Sequence, residues 1–485
     1  MQQSIPSTRM VNPLLAPSGL RAAIMEIRTA AMAGATCGRQ DGIRAGTDKP
    51  SITMLLTMKS TAGTMLAVDP MPASSSVSIG VWFPFGSRHE SSSARGFMHG
   101  IEHMLFKGTL HRTSRELIRV FERSGGYVNA FTERSATCLH CTVPAGIWKD
   151  AAQTLLEMAF LSTFPEEEFV KEQSVILAEV LQTEDDPEEK SHEEFFLQFW
   201  KGQPISFPIT GNAEQIQAMN RNLLHAYYLE ALQPANALIC VAGNLEAEAC
   251  IRWLDDRLAR ISEERLKLIK PGLMSNSKPL VCQPATPSYF RTFRKTDTAL
   301  AYVIMAIQEL PPSSLREYLI RSTLGEITGG SSISRLFQIL REEEGLCYTV
   351  FSSYSAESSE ALWLFHMQTG EGELPIALDR LESVIDGLGS SLPSSMEFDD
   401  AISRLIGSLQ LAEEDTDYRQ RRMARGWLAT STMYSCDEEL AQARSIRYDE
   451  VVWAAQNLAG LPRARYVFGA LHKADLRKRG YVEQK

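Results

Sequence analysis

Between Lys270 and Ser288 the chain carries four prolines, Gly272 and a Ser-Asn-Ser-Lys tract. Proline lacks the amide hydrogen that helix interiors and central strands need, so neither element runs through such a stretch. The tract divides the 485 residues into two folding units, which a chain about three domain lengths long requires in any case. Ahead of it, Ile52 to Met58 and Thr64 to Val68 predict a hairpin turning at Ala62-Gly63, and Ser76 to Phe83 a third strand. A helix is expected from about Ser92 to Lys107, stopped by Gly108. Thr113 and Glu116 have capping-box spacing and open a helix that ends at Gly125-Gly126. A strand pair spans Tyr127 to Val143, helices run to about Gln198, and Ala237 to Ala242 reads as a buried strand between Pro234 and Gly243.

After the tract the pattern restarts. Ala299 to Ile307, Tyr348 to Tyr354 and Leu362 to Met367 predict strands, with helices between the first two. Near the end, Tyr466 to Phe468 follows Pro462 and precedes Gly469, as Ala237 to Ala242 follows Pro234 and precedes Gly243. A helix–Pro–strand–Gly closing segment that recurs roughly 230 residues apart suggests a duplicated αβ unit. The expected fold class is therefore α+β. The expected boundaries are an N-terminal extension over 1–49, a first half over 50–265, a linker over 266–290 and a second half over 291–485.

Composition narrows the function classes. Hydrophobic residues make up 44% and charged residues 22%, ordinary values for a folded globular chain. No run approaches the ~20 apolar residues needed to span a bilayer, so membrane insertion is not expected. A net charge of −10 makes a poor general binder of nucleic acid. The eight cysteines are scattered, which fits a reducing compartment and a cytoplasmic setting. Cys138 and Cys141 have CxxC spacing but lie in a β-branched run, where residues three apart point to opposite faces, so they read as strand filler. Residues 1–49 hold six basic and three acidic side chains without the apolar core of a secretory signal, and organellar targeting stays open.

The chemistry concentrates in His99-Gly100-Ile101-Glu102-His103. Helical positions i, i+3 and i+4 share a face, so two imidazoles and a carboxylate project together. Neutral imidazole suits zinc, and a carboxylate beside the metal is placed to take a proton from water. A catalytic zinc site needs a third protein ligand and an open position. Glu172 and Glu179 supply candidates: two turns apart on a helix opened by Pro165 and Glu166 to Glu168, they face the same way. One could bind metal while the other orients it.

The run Gly86-Ser87-Arg88-His89-Glu90, then Gly96, then His99 to His103 followed by Met104-Leu105-Phe106-Lys107-Gly108-Thr109, resembles the inverzincin peptidases. These form the insulinase/pitrilysin and mitochondrial processing peptidase family, in which HxxEH inverts the usual HExxH order. The resemblance implies a metal-binding Glu about 76 residues beyond the second His, with another Glu seven residues earlier; Glu179 and Glu172 match both. It also implies a Gly-Gly-x-x-Asn-Ala-x-Thr segment, present as Gly125-Gly126-Tyr127-Val128-Asn129-Ala130-Phe131-Thr132. In the second half, which has no metal motif, Arg341 and Tyr348 are similar to the family's substrate-contacting Arg/Tyr pair.

On that resemblance His99, His103 and Glu179 hold one Zn²⁺ per chain, with Glu102, Glu172, Arg341 and Tyr348 as catalytic residues. Asn129, Ala130 and Thr132, with Arg341 and Tyr348, would bind peptide substrate. The implied fold is a clamshell of two homologous halves, each an antiparallel-rich sheet covered by helices, around a chamber. The implied activity is a zinc endopeptidase acting on peptides or unfolded segments; the alternative is a non-catalytic, substrate-presenting subunit. A homodimer, or a heterodimer with a related chain, is implied as well. Gly100 stands where relatives carry a bulky residue, so an enlarged subsite is expected. The acidic tract Glu184 to Glu194 either lines the cavity and favours basic peptides or is a solvated face.

Overall fold

The computed structural model describes residues 55–269, 283–357 and 359–484. The extension 1–49 and most of the 266–290 linker lie outside the described residues. The first half builds β1 (Leu56–Lys59), β2 (Met65–Pro70), β3 (Ser76–Phe83), β4 (Tyr127–Thr132), β5 (Thr137–Pro144) and β6 (Leu238–Gly243) into one sheet of order β1-β2-β6-β3-β5-β4. The second half builds β7 (Arg291–Lys295), β8 (Ala301–Glu309), β9 (Cys347–Ala356), β10 (Ala361–Thr369), β11 (Ala464–Gly469) and β12 (Val482–Glu483) into a sheet of order β12-β7-β11-β8-β10-β9.

The two sheets are copies of one plan. β6 pairs parallel with β2 and antiparallel with β3, and β11 does the same with β7 and β8. The antiparallel series β3-β5-β4 is repeated as β8-β10-β9. Only the outermost strand differs, coming from the hairpin partner β1 in the first sheet and from the C-terminal β12 in the second.

Alternation along the strands sends side chains to both faces of each sheet. Leu66, Val68, Ile79, Val81, Leu139, Cys141 and Ile239 pack under the first helical layer, and Val303, Met305, Trp363, Phe365 and Val467 under the second. The other faces are apolar too, and each is covered by a helix lent from the opposite half. Pro187–Phe199 lays Phe195, Phe196 and Phe199, followed by Trp200, on Ile304, Leu364, Tyr466 and Phe468. Thr416–Thr430 returns the exchange, setting Met423 and Ala424 against Trp82, Cys138, Leu238 and Cys240. Each aromatic buried this way contributes about 2–3 kcal/mol. Cys138 and Cys141 thus face opposite layers as buried free thiols.

The acidic tract is not a wholly solvated face: Glu184 and Asp185 are exposed, but others are engaged. Asp186 caps the Pro187–Phe199 helix, Glu193 lies near Arg134, and Glu194 bonds Arg294 and Tyr466 of the second half. Arg88, buried in the first half, adds a further tie to Glu360 and to the Gln283 carbonyl. No helix among the described residues is long and apolar enough to cross a membrane.

Candidate metal centre

The motif helix is shorter than its sequence pattern predicts, Phe97–Met104 instead of Ser92–Lys107. Gly96 precedes it at φ 81°, and a Cβ there would come within 2.7 Å of the Thr210 carbonyl oxygen. That left-handed turn starts the helix late. The buried Glu90 carboxylate accepts the Gly96 and Met98 amides at 2.9 and 2.7 Å, filling the role of an N-terminal cap. Burial dominates its ionisation and pushes it up to about 8, against the pull of those amides.

Phe97, Met98, Ile101 and Met104 enter the core, which turns His99, Glu102 and His103 toward the long helix Glu166–Asp185. There the Glu179 Oε2 lies 3.6 Å from His99 Nε2 and 3.6 Å from His103 Nε2. All three donors fall within 4.8 Å of one another. Two ligands about 2.1 Å from a tetrahedral zinc ion are separated by about 3.4 Å, so the donor set and its spacing fit this metal.

The two glutamates meet different atoms. Glu172 Oε2 is 2.9 Å from His103 Nδ1, and its Oε1 is 2.6 Å from Lys107 Nζ. This bond places the His103 proton on Nδ1 and leaves Nε2 as the ligand atom. Glu172 is thus held by two partners, an arrangement suited to orienting His103. Lys107 lies three residues past the end of the motif helix, four beyond His103.

Burial opposes charge on His103, but hydrogen bonds accepted by Glu172 and Glu179 outweigh it and push the imidazole up to about 9. Burial pulls His99 down instead. Burial also resists ionisation of Glu172 and Glu179, yet His103, joined by Lys107 and His99 respectively, brings both below the usual carboxylate range. Glu102 is half-buried and makes no hydrogen bond or ion pair among the described residues, so its carboxylate is uncommitted.

β4 is the edge of its sheet, with one backbone side paired to β5 and the other open among the described strands. Its register sorts the side chains of Asn129, Ala130 and Thr132 between the two faces of the strand. Val128, Ala130 and Thr132 point into the helical layer, and the Thr132 hydroxyl lies 3.5 Å from the Met98 carbonyl of the motif helix. The side chains of Ala130 and Thr132 are therefore closed to a ligand, and only their backbone is on the edge. Asn129 is exposed, with its Oδ1 accepting the Ala130 amide at 2.9 Å.

Arg341 and Tyr348 come together, the guanidinium carbon 4.6 Å from the centre of the Tyr348 ring. Tyr348 is 79% exposed. No hydrogen bond or ion pair joins either to the metal cluster among the described residues. Gly100 does not line the site: a Cβ there would meet Met219 Sδ at 3.0 Å and Leu224 at 3.5 Å, so no subsite is enlarged.

Comparison with known proteins identifies the family. Residues 66–212 match the family model described as Insulinase (Peptidase family M16), and residues 218–405 match the one described as Peptidase M16 inactive domain. An uncharacterized zinc protease of Bacillus subtilis, YmxG, is 29% identical over 399 residues, covering 82% of this chain and 93% of that protein. An uncharacterized zinc protease of Rickettsia felis is 27% identical over 388 residues, covering 80% and 91%. Among solved structures, a protease from Helicobacter pylori superposes with a TM-score of 0.73 at 16% identity, covering 86% of this chain and all 100% of that one. A Pseudomonas fluorescens structure described as a peptidase M16 inactive domain gives 0.71 at 17% identity, covering 86% and 98%. At such identities the structures speak for the fold alone. The motifs, the duplicated sheets and the two family matches along the chain place this protein in the insulinase family of peptidases.

Proposed function

We propose that the protein is a zinc-dependent endopeptidase that hydrolyses peptides or unfolded polypeptide segments. The observation that carries this reading is the convergence of His99 Nε2 and His103 Nε2 on one Glu179 oxygen, at 3.6 Å each. When bound, a zinc ion would polarise the scissile carbonyl and acidify water to a pKa near ~7. Everything else falls to the chain itself. His99, His103 and Glu179 would hold the ion, and Glu172, backed by Lys107, keeps His103 in the ligating tautomer. Glu102, one residue before His103 and uncommitted, takes the proton of the attacking water and passes it to the leaving amine.

The open edge of β4 suits an extended peptide added as a further strand, with Asn129 at the rim exchanging its own amide contact for a substrate one. The half-buried Arg341 and the exposed Tyr348 would meet the substrate from the second half. Enclosure of the site in a chamber, and pairing with a second copy or a related chain, are supported by the family resemblance. Glu102→Gln tests the assignment. The variant should retain one zinc at this centre and lose about 10²–10⁴-fold in peptide hydrolysis, and equal turnover by both proteins would remove Glu102 as the base.

A further inference from the structure

Glu188, His192 and His366 come together where the Pro187–Phe199 helix of the first half crosses the second sheet. Glu188 and His192 stand one turn apart on that helix, His366 lies on β10, and their three donor atoms fall within 4.8 Å of one another. His192 is 2% exposed and His366 0%. His192 Nε2 is 3.1 Å from His366 Nδ1, with the rings 4° from parallel, and a Glu188 oxygen is 3.6 Å from His366 Nε2. Two neutral imidazoles this close are held by a shared proton or by a cation.

Three features favour the cation. His192 Nδ1 has no hydrogen-bond partner, just as His99 Nδ1 has none, so its polar reach is toward the cluster alone. Burial, helped by Arg134, pulls His192 down to about 4, which leaves it an unprotonated ligand at neutral pH. The Glu188 side chain is 26% exposed, giving a charged donor with a route from solvent.

We propose that Glu188, His192 and His366 form a second divalent-metal site, structural in role, that staples the exchanged helix to the second sheet. Its two nitrogens and one carboxylate suit zinc or cobalt, with solvent completing the coordination. The test uses the full-length His103→Ala variant, in which the first centre is crippled, titrated with zinc by calorimetry and with cobalt by visible absorption. One metal ion per chain should bind, cobalt should give the intense band of a near-tetrahedral site, and added zinc should raise Tm. Adding His366→Gln or His192→Gln should abolish all three. Should those variants fail to fold, Glu188→Gln in the same background should weaken zinc at least 10-fold. No binding by His103→Ala, or binding unchanged in all three double variants, overturns the proposal. These readouts do not depend on peptidase activity.

Discussion

Glu172→Gln isolates the positioning role worked out above. The carboxylate accepts from His103 Nδ1 at 2.9 Å and from Lys107 Nζ at 2.6 Å. Both partners are donors, since a ligating His103 carries its proton on Nδ1 and an ammonium has no lone pair. A carboxylate satisfies two donors, whereas an amide offers one acceptor and one NH₂. Whichever way the glutamine turns, one partner faces a donor. If the amide oxygen stays with Lys107, His103 loses the contact that fixes its tautomer. If it stays with His103, a half-buried ammonium is left without its counter-charge. The loss is one charge-assisted hydrogen bond, about 1.5–3 kcal/mol, which corresponds to roughly 10–100-fold in zinc affinity. The assay is zinc competition against a chromophoric chelator, followed by peptide hydrolysis at saturating zinc. Zinc should bind 10–100-fold more weakly, and kcat should return to within several-fold of wild type once the metal is restored. Unchanged zinc affinity with a kcat that stays low at saturating zinc would refute the reasoning and return Glu172 to the chemical step.

Gly100→Ala should leave kcat/KM and cleavage preference unchanged, because the new methyl meets Met219 and Leu224 and not the cleft; a changed peptide cleavage profile would restore the subsite idea. Phe199→Ala removes a fully buried ring from the exchanged helix and should cost about 3–5 kcal/mol in a urea titration. An acid limb of stability should trace to Glu397. The Arg335 guanidinium, bonding it at 2.6 and 2.9 Å, holds its carboxyl down to about 2. A depressed carboxyl stabilises the fold above its unfolded value, 4.5, and that contribution is lost as pH falls toward 2. Solvent screening limits the effect to about 1 kcal/mol, so Glu397→Gln should flatten the stability profile between those pH values, costing up to about 1 kcal/mol at pH 7 and little near pH 2.

Much of the architecture was legible because it is written in local pattern. β3 was bounded to the residue, and the helix–Pro–strand–Gly repeat foretold β6 and β11, which occupy equivalent places in the two sheets. The motif helix was overrun because its start depends on a contact between Gly96 and Thr210, over a hundred residues away. The acidic tract was left open between two readings for a related reason. Charge in a sequence suggests solvent, but Glu194 is consumed by Arg294 and Tyr466 across the molecule.

By itself the sequence determined which residues carry chemistry, since i, i+3, i+4 spacing and two-turn spacing are properties of any helix and put His99 beside His103 and Glu172 in line with Glu179. Only the tertiary structure decided their roles. The depth and angle at which one helix crosses another brought Glu179 to both Nε2 atoms and left Glu172 behind His103. The same is true of the exchanged helices and of the meeting of His192 with His366. These juxtapositions join residues 69 positions apart, for His103 and Glu172, and 174 apart, for His192 and His366, and no periodicity encodes them. They exist because two apolar sheet faces, each lacking a cover of its own, are buried by a helix from the other half.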